Sequence, residues 1–111
     1  VTPLKLIIAV IQDKDAPGLM ESLMKAGYGA TKLASTGGFL REGNSTILIG
    51  VENGDTEKVL DIIRKTCRAR EQLVTPVTPT GPGESYVPYP IGVKVGGATV
   101  FIVPVERFLK I

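Results

Sequence analysis

The chain has no histidine and a single cysteine, Cys67. Without histidine, Ser-His-Asp triads and most zinc sites are excluded. One cysteine forms no intrachain disulfide, which fits a reducing cytosol, so a cytoplasmic location is expected. Long apolar runs are also missing: no segment approaches the ~18 to 20 residues that a membrane span needs. The opening VTPLKLIIAVIQ is apolar but short. It lacks a basic n-region and a small-residue cleavage site, so no signal peptide is expected. Charge of one sign is missing too. Thirteen Lys and Arg against eleven Asp and Glu leave a net charge of +2, too small to argue for nucleic acid or an anionic membrane as partner. Asp13, Asp15, Asp55 and Asp61 show no metal-binding spacing. No metal site and no catalytic residue are predicted, and the chain reads as a non-enzyme.

What remains is a globular composition, 43% hydrophobic and 22% charged over 111 residues, enough for one domain (1–111) with a two-layer core. Leu4 to Gln12, LKLIIAVIQ, reads as a central strand with both faces covered. Asp15 is placed to cap a helix that has Pro17 in its first turn and Gly27 at its stop. Leu19, Met20, Leu23, Met24 and Ala26 form its predicted core stripe. Residues 28–36 read as a second strand and 45–52 as a third, with Asn53-Gly54 as a turn. Asp55 is placed to cap a second helix. Its apolar side carries Val59, Leu60, Ile62, Ile63 and Cys67, and Cys67 is expected to be buried and inert.

The segment after that helix changes character. RAREQLVTPV can form a short strand, and five of the eight prolines follow between positions 76 and 90. Such Pro-rich loops inside small domains are usually functional or mobile. IGVKVGGATVFIVPV alternates strongly and is broken at Gly96-Gly97, which predicts a hairpin or one long bulged strand. The last six residues, Glu106 to Ile111, read as a short apolar tail of one helical turn. The order is the ferredoxin-like β-α-β-β-α-β sandwich, an α+β fold with both helices on one face of an antiparallel sheet and the Pro-rich loop before the last strand. The strands stay apolar on the other face and no third helix exists to cover it, so copies of the chain are expected to do so.

The stretch at 30–44, ATKLASTGGFLREGN, does not fit a plain scaffold. A strand breaks at Gly37-Gly38 and presents Phe39 and Leu40 in a loop of Gly, Thr, Arg and Asn. That pair can pack at home, pack on a neighbouring subunit, or hold a flat ligand.

IIAVIQDKD, ATKLASTGGFLREGN, TCRAREQLV, YVPYP and VGGATVFIVPV together resemble the PII-like cyclic di-AMP receptor proteins of bacteria, over essentially the whole chain. The resemblance implies a PII-like homotrimer that binds cyclic di-AMP in clefts between adjacent subunits, transduces a signal to an as yet unidentified protein target, and carries out no catalysis. It places Ala30, Thr31, Gly38, Phe39, Leu40, Asn44 and Gly50 in the ligand-binding region, with Phe101 lining the cleft from another subunit. The chemistry suits an adenine nucleotide. Phe39 and Leu40 offer apolar contact to a base, Asn44 both donates and accepts at its edge, Thr31 donates, and glycines let backbone groups approach. Two positions depart from the family pattern. Gly29 stands where the better-known members have a phosphate-binding arginine, and Lys110 stands where glutamine is familiar. The alternative implied by these departures is a PII-like trimer that senses another adenine nucleotide or acts as a protein-interaction module.

Overall fold

The computed structural model describes residues 4–33, 43–74 and 91–111. The Pro-rich loop and Gly38, Phe39 and Leu40 lie outside them.

Strand β1, Leu4–Gln12, forms where predicted. Its side chains alternate between two environments, as a pleated strand requires. Ile7, Ala9 and Ile11 are fully buried, whereas Leu6, Ile8 and Val10 on the opposite face are only half-buried. Strand β3, Asn44–Glu52, repeats the pattern, with Ile47, Ile49 and Val51 buried on the same side. Helices α1, Ala16–Lys25, and α2, Thr56–Cys67, cover that side. Leu19, Leu23, Val59, Ile63 and Cys67 interlock there with the strand residues in a single core cluster. Each fully buried aliphatic side chain in this layer contributes about 1.5–3 kcal/mol of transfer free energy.

The main sheet has the order β2-β3-β1-β6, with every neighbouring pair antiparallel. Here β2 is Ala30–Leu33 and β6 is Ala98–Pro104. β1 and β2 run parallel with β3 inserted between them, which is the split β-α-β arrangement of the ferredoxin-like fold. Helix α1 stops as expected. Gly27 has φ +87. Its N–H bonds to Met24 O at 3.0 Å, and Tyr28 N–H reaches Leu23 O at 2.9 Å, a Schellman closure.

Several local expectations are corrected. Asp15 and Asp55 both stand at N-cap positions, but neither side chain caps its helix. Each closes a 3-10 turn, Asp13–Asp15 and Asn53–Asp55, whose helical dihedrals aim the carboxylate away from the helix amides. Asp15 bonds Arg70 instead, and Asp55 pairs with Lys58 at 3.5 Å. Met24, expected on the core stripe, is 72% exposed. Asn44, read as a loop residue, is the first residue of β3 and pairs with Gln12. No helical turn forms in the tail after β6.

The largest correction concerns residues 91–105. They form neither a hairpin nor one bulged strand. Strand β5, Ile91–Val95, leaves the main sheet and pairs with β4, Arg70–Val74, as a separate two-stranded ribbon. Gly96 and Gly97, at φ +83 and +93, redirect the chain between ribbon and sheet, a backbone path open mainly to glycine.

Candidate functional site

The open face of the sheet is set by strand register. Thr31 pairs with Leu48 across β2 and β3, and Gly50 pairs with Leu6 across β3 and β1. These four residues share the face that the helices leave uncovered. A hollow of about 520 Å³ lies among Leu6, Gly29, Thr31, Leu48 and Gly50, bordered by Leu4, Lys5, Val105 and Phe108. Its cause is local. A Cβ at position 50 or 29 would meet nothing within 4 Å, so two missing side chains leave a floor of backbone between apolar walls. Phe108, 69% exposed, forms the rim. The chain reaches this rim because Val105 N–H bonds Leu4 O at 3.0 Å and keeps the segment after β6 beside β1.

Of the residues singled out from the sequence, Thr31 and Gly50 therefore come together, and Gly29 stands beside them. Ala30 belongs to the opposite face and packs on the core, so only its backbone borders this side. Asn44 is on the open face at the far end of β3. It lines a second hollow of about 370 Å³ with Val10, Gln12 and Thr99, closed by Gly96 and Gly97. From Asn44 to Leu48, the partner of Thr31, the strand advances about 13 Å at its usual rise. Phe101 also faces outward, opposite Ile8 and 55% exposed, but it does not line either hollow. Gly38, Phe39 and Leu40 lie outside the described residues.

Leu6, Leu48, Val105 and Phe108 were not singled out from the sequence. Leu6 and Leu48 carry a signal in hindsight: they are the register partners of Gly50 and Thr31. Phe108 carries none, since nothing in an irregular tail announces which strand it will follow.

Behind the second hollow lies a polar knot. Arg70 Nη2 donates to Asp15 Oδ1 at 2.8 Å and Nη1 to the Arg68 carbonyl at 3.2 Å. The hydrogen bond to Asp15 pushes the Arg70 guanidinium pKa further up. Cys67 is 1% exposed. Burial, helped by the nearby Asp15 carboxylate, raises its thiol from 9.0 to about 11. A thiol so raised is a poor nucleophile, in line with an inert core cysteine. Among the described residues, no group of three or more His, Cys, Asp or Glu side chains gathers for a metal. No described helix is long and apolar enough to cross a membrane.

The architecture is that of PII-type ferredoxin-like domains. The crystal structure of Arabidopsis thaliana PII bound to citrate superposes with a TM-score of 0.60, covering 100% of this chain and 82% of that one, at 15% identity. That level of identity bears on the fold alone. The chain belongs to the cyclic-di-AMP receptor family, whose sequence profile matches residues 4–111. It is also similar to a functionally unknown protein from Pediococcus pentosaceus ATCC 25745, at 42% identity over 100% of both chains and a TM-score of 0.82.

Proposed function

We propose that this protein is a non-catalytic signal receptor that binds cyclic di-AMP on the open face of its sheet, in a cleft completed by a second copy of the chain. The observation that carries this reading is the shared hollow of Thr31 and Gly50. These residues come from separate strands, and the family resemblance names both. Thr31 supplies a hydroxyl donor, Gly29 and Gly50 let a ligand lie close to the backbone, and Leu6, Leu48 and Phe108 offer apolar contact to a base. Asn44, Gly38, Phe39 and Leu40 complete the proposed set, with Ala30 contributing through its backbone. Asn44 stands well along β3 from Thr31, and a two-base ligand suits that spacing better than a mononucleotide.

The assembly proposed is a homotrimer in the cytoplasm. Its support is the apolar character of the open face, where Phe101 is 55% and Val103 41% exposed beside the half-buried Leu6, Ile8 and Val10. Surface of that kind is normally covered. Phe101→Glu is expected to yield a smaller species by light scattering. The downstream partner is proposed to be a protein.

Gly29 favours a second reading, since position 29 offers no side-chain cation to a phosphate and, among the described lining residues, Lys5 alone carries a positive charge: an adenine nucleotide other than cyclic di-AMP, or a protein ligand. Thermal-shift titrations with cyclic di-AMP, cyclic di-GMP, ATP and AMP separate the two. The first reading expects a shift with cyclic di-AMP that is weakened about fivefold in Thr31→Val, the scale of one lost hydrogen bond. No shift with cyclic di-AMP at high micromolar concentration, together with a shift for ATP or AMP, selects the second.

A further inference from the structure

Four consecutive residues, 12–15, bond to two parts of the chain that are far apart in sequence. On one side is the entry of β3. Asp13 N–H donates to Gly43 O at 2.8 Å, and Ser45 Oγ donates to Asp13 Oδ1. Asn44, the proposed ligand contact, lies between these two anchors. On the other side is the base of the β4–β5 ribbon. Gln12 Oε1 accepts from Gly96 N–H at 2.8 Å, Lys14 Nζ donates to Gln72 Oε1 at 3.0 Å, and Asp15 Oδ1 accepts from Arg70 Nη2 at 2.8 Å. Gln12 is also the direct register partner of Asn44.

We propose that residues 12–15 are a coupling element, through which the conformation at Asn44 and the stability of the ribbon control one another. Three features make this more than a set of struts. A two-stranded ribbon is marginal by itself, so its order depends on how its base is held. The segment is too short to absorb displacement, being one 3-10 turn between β1 and α1. It is fixed to a rigid body, because Ile11 on one side and Ala16 and Leu19 on the other are at most 1% exposed. A movement of the β3 entry is then passed to Gln12, Lys14 and Asp15, since the close-packed core behind them cannot give. Coupling between sites is reciprocal, so loosening either side loosens the other. Only the extension of this coupling to a bound ligand rests on the function proposed above. In that case, ligand engaged at Asn44 firms the ribbon and thereby signals occupancy to a partner.

Amide hydrogen exchange on the full chain, without ligand, tests the coupling from both ends. The Ser45→Ala variant removes a bond on the β3 side, and Asp15→Asn weakens one on the ribbon side. The expected result is crossed: Ser45→Ala speeds exchange at 70–74 and 91–95, and Asp15→Asn speeds exchange at 43–46. Each effect should be roughly threefold or more, the scale of one weakened hydrogen bond. Exchange in the core of β1 should stay unchanged. Effects confined to each variant's own side overturn the proposal, and so does a uniform rise that includes the β1 core. A second arm adds saturating cyclic di-AMP to the wild-type chain and expects slower ribbon exchange, with that slowing reduced in Ser45→Ala. If the wild-type chain takes up no cyclic di-AMP, the ligand assignment fails while the ligand-free comparison still decides the coupling.

Discussion

The Asp15 carboxylate, 6% exposed, accepts a hydrogen bond from Arg70 at 2.8 Å across 55 positions of sequence. That contact joins the start of α1 to the first residue of the ribbon. Removing only the cation leaves a buried carboxylate without its partner, which is worse than removing both charges. Arg70→Met is therefore expected to melt at a lower temperature than the Asp15→Asn/Arg70→Met double variant. Equal melting temperatures would show that the pair contributes nothing specific. The bond raises the Arg70 pKa, so the arginine's stabilising contribution is complete below its already high unfolded value. It is lost only as pH rises through the still higher folded value, and across the neutral range Arg70 adds no pH dependence.

Two glycines should respond very unequally to the same substitution. At Gly96, φ is +83, and a Cβ would run into the Arg68 carbonyl and the Arg70 guanidinium. Gly96→Ala should cost about 2 kcal/mol or more in urea unfolding. Around Gly50 a Cβ meets nothing within 4 Å, so Gly50→Ala should change stability by less than about 0.5 kcal/mol. If binding uses this hollow, the bulkier Gly50→Val should impair it while the fold survives. A Gly50→Val chain that binds normally would move the site elsewhere.

Gly29 borders the hollow with open space where a side chain would begin. Its φ is not in the left-handed region, so a longer residue is tolerated. Gly29→Arg should tighten cyclic di-AMP by several-fold up to about tenfold through a charge-assisted contact to phosphate, and the gain should shrink with added salt. Unchanged affinity at low salt would mean that the phosphates lie away from position 29.

Cys67 sets a limit at alkaline pH. Its pKa rises from 9.0 to about 11 on folding. The folded state thus holds the thiol proton more tightly, and stability from this group is complete below pH 9. It is lost progressively as pH rises towards 11, by on the order of 2–3 kcal/mol. The stability gap between wild type and Cys67→Ala should narrow by that amount between pH 8 and pH 11 in urea unfolding. A constant gap would place the thiol in a wetter setting.

Much of the fold was legible in the sequence because it is written in short-range patterns. The apolar run of β1, Pro17 and Gly27 around α1, and the apolar side of α2 each report their own element. Failures came where a distant partner decided the outcome. Asp15 reads as a helix cap until Arg70 arrives from beyond α2. Residues 91–105 read as a hairpin or one long bulged strand because the glycine pair sits between two alternating runs. The pairing partner of β5 is β4, across a long segment, and no local pattern encodes that choice. The candidate site was legible only in part. Thr31 and Gly50 were named from the family resemblance, and strand pairing brought them together. Leu48 and Phe108 emerged only from register and from the path of the tail.

Cyclic di-AMP is proposed to bind this chain in the hollow floored by Gly50. Isothermal titration calorimetry of cyclic di-AMP into the wild-type chain and into Gly50→Val tests it most directly. Saturable binding to the wild type at one ligand per chain, at least tenfold weaker in Gly50→Val (about 1.4 kcal/mol), is the predicted result. No heat of binding to the wild type at high micromolar ligand, or equal affinity in both chains, would contradict it.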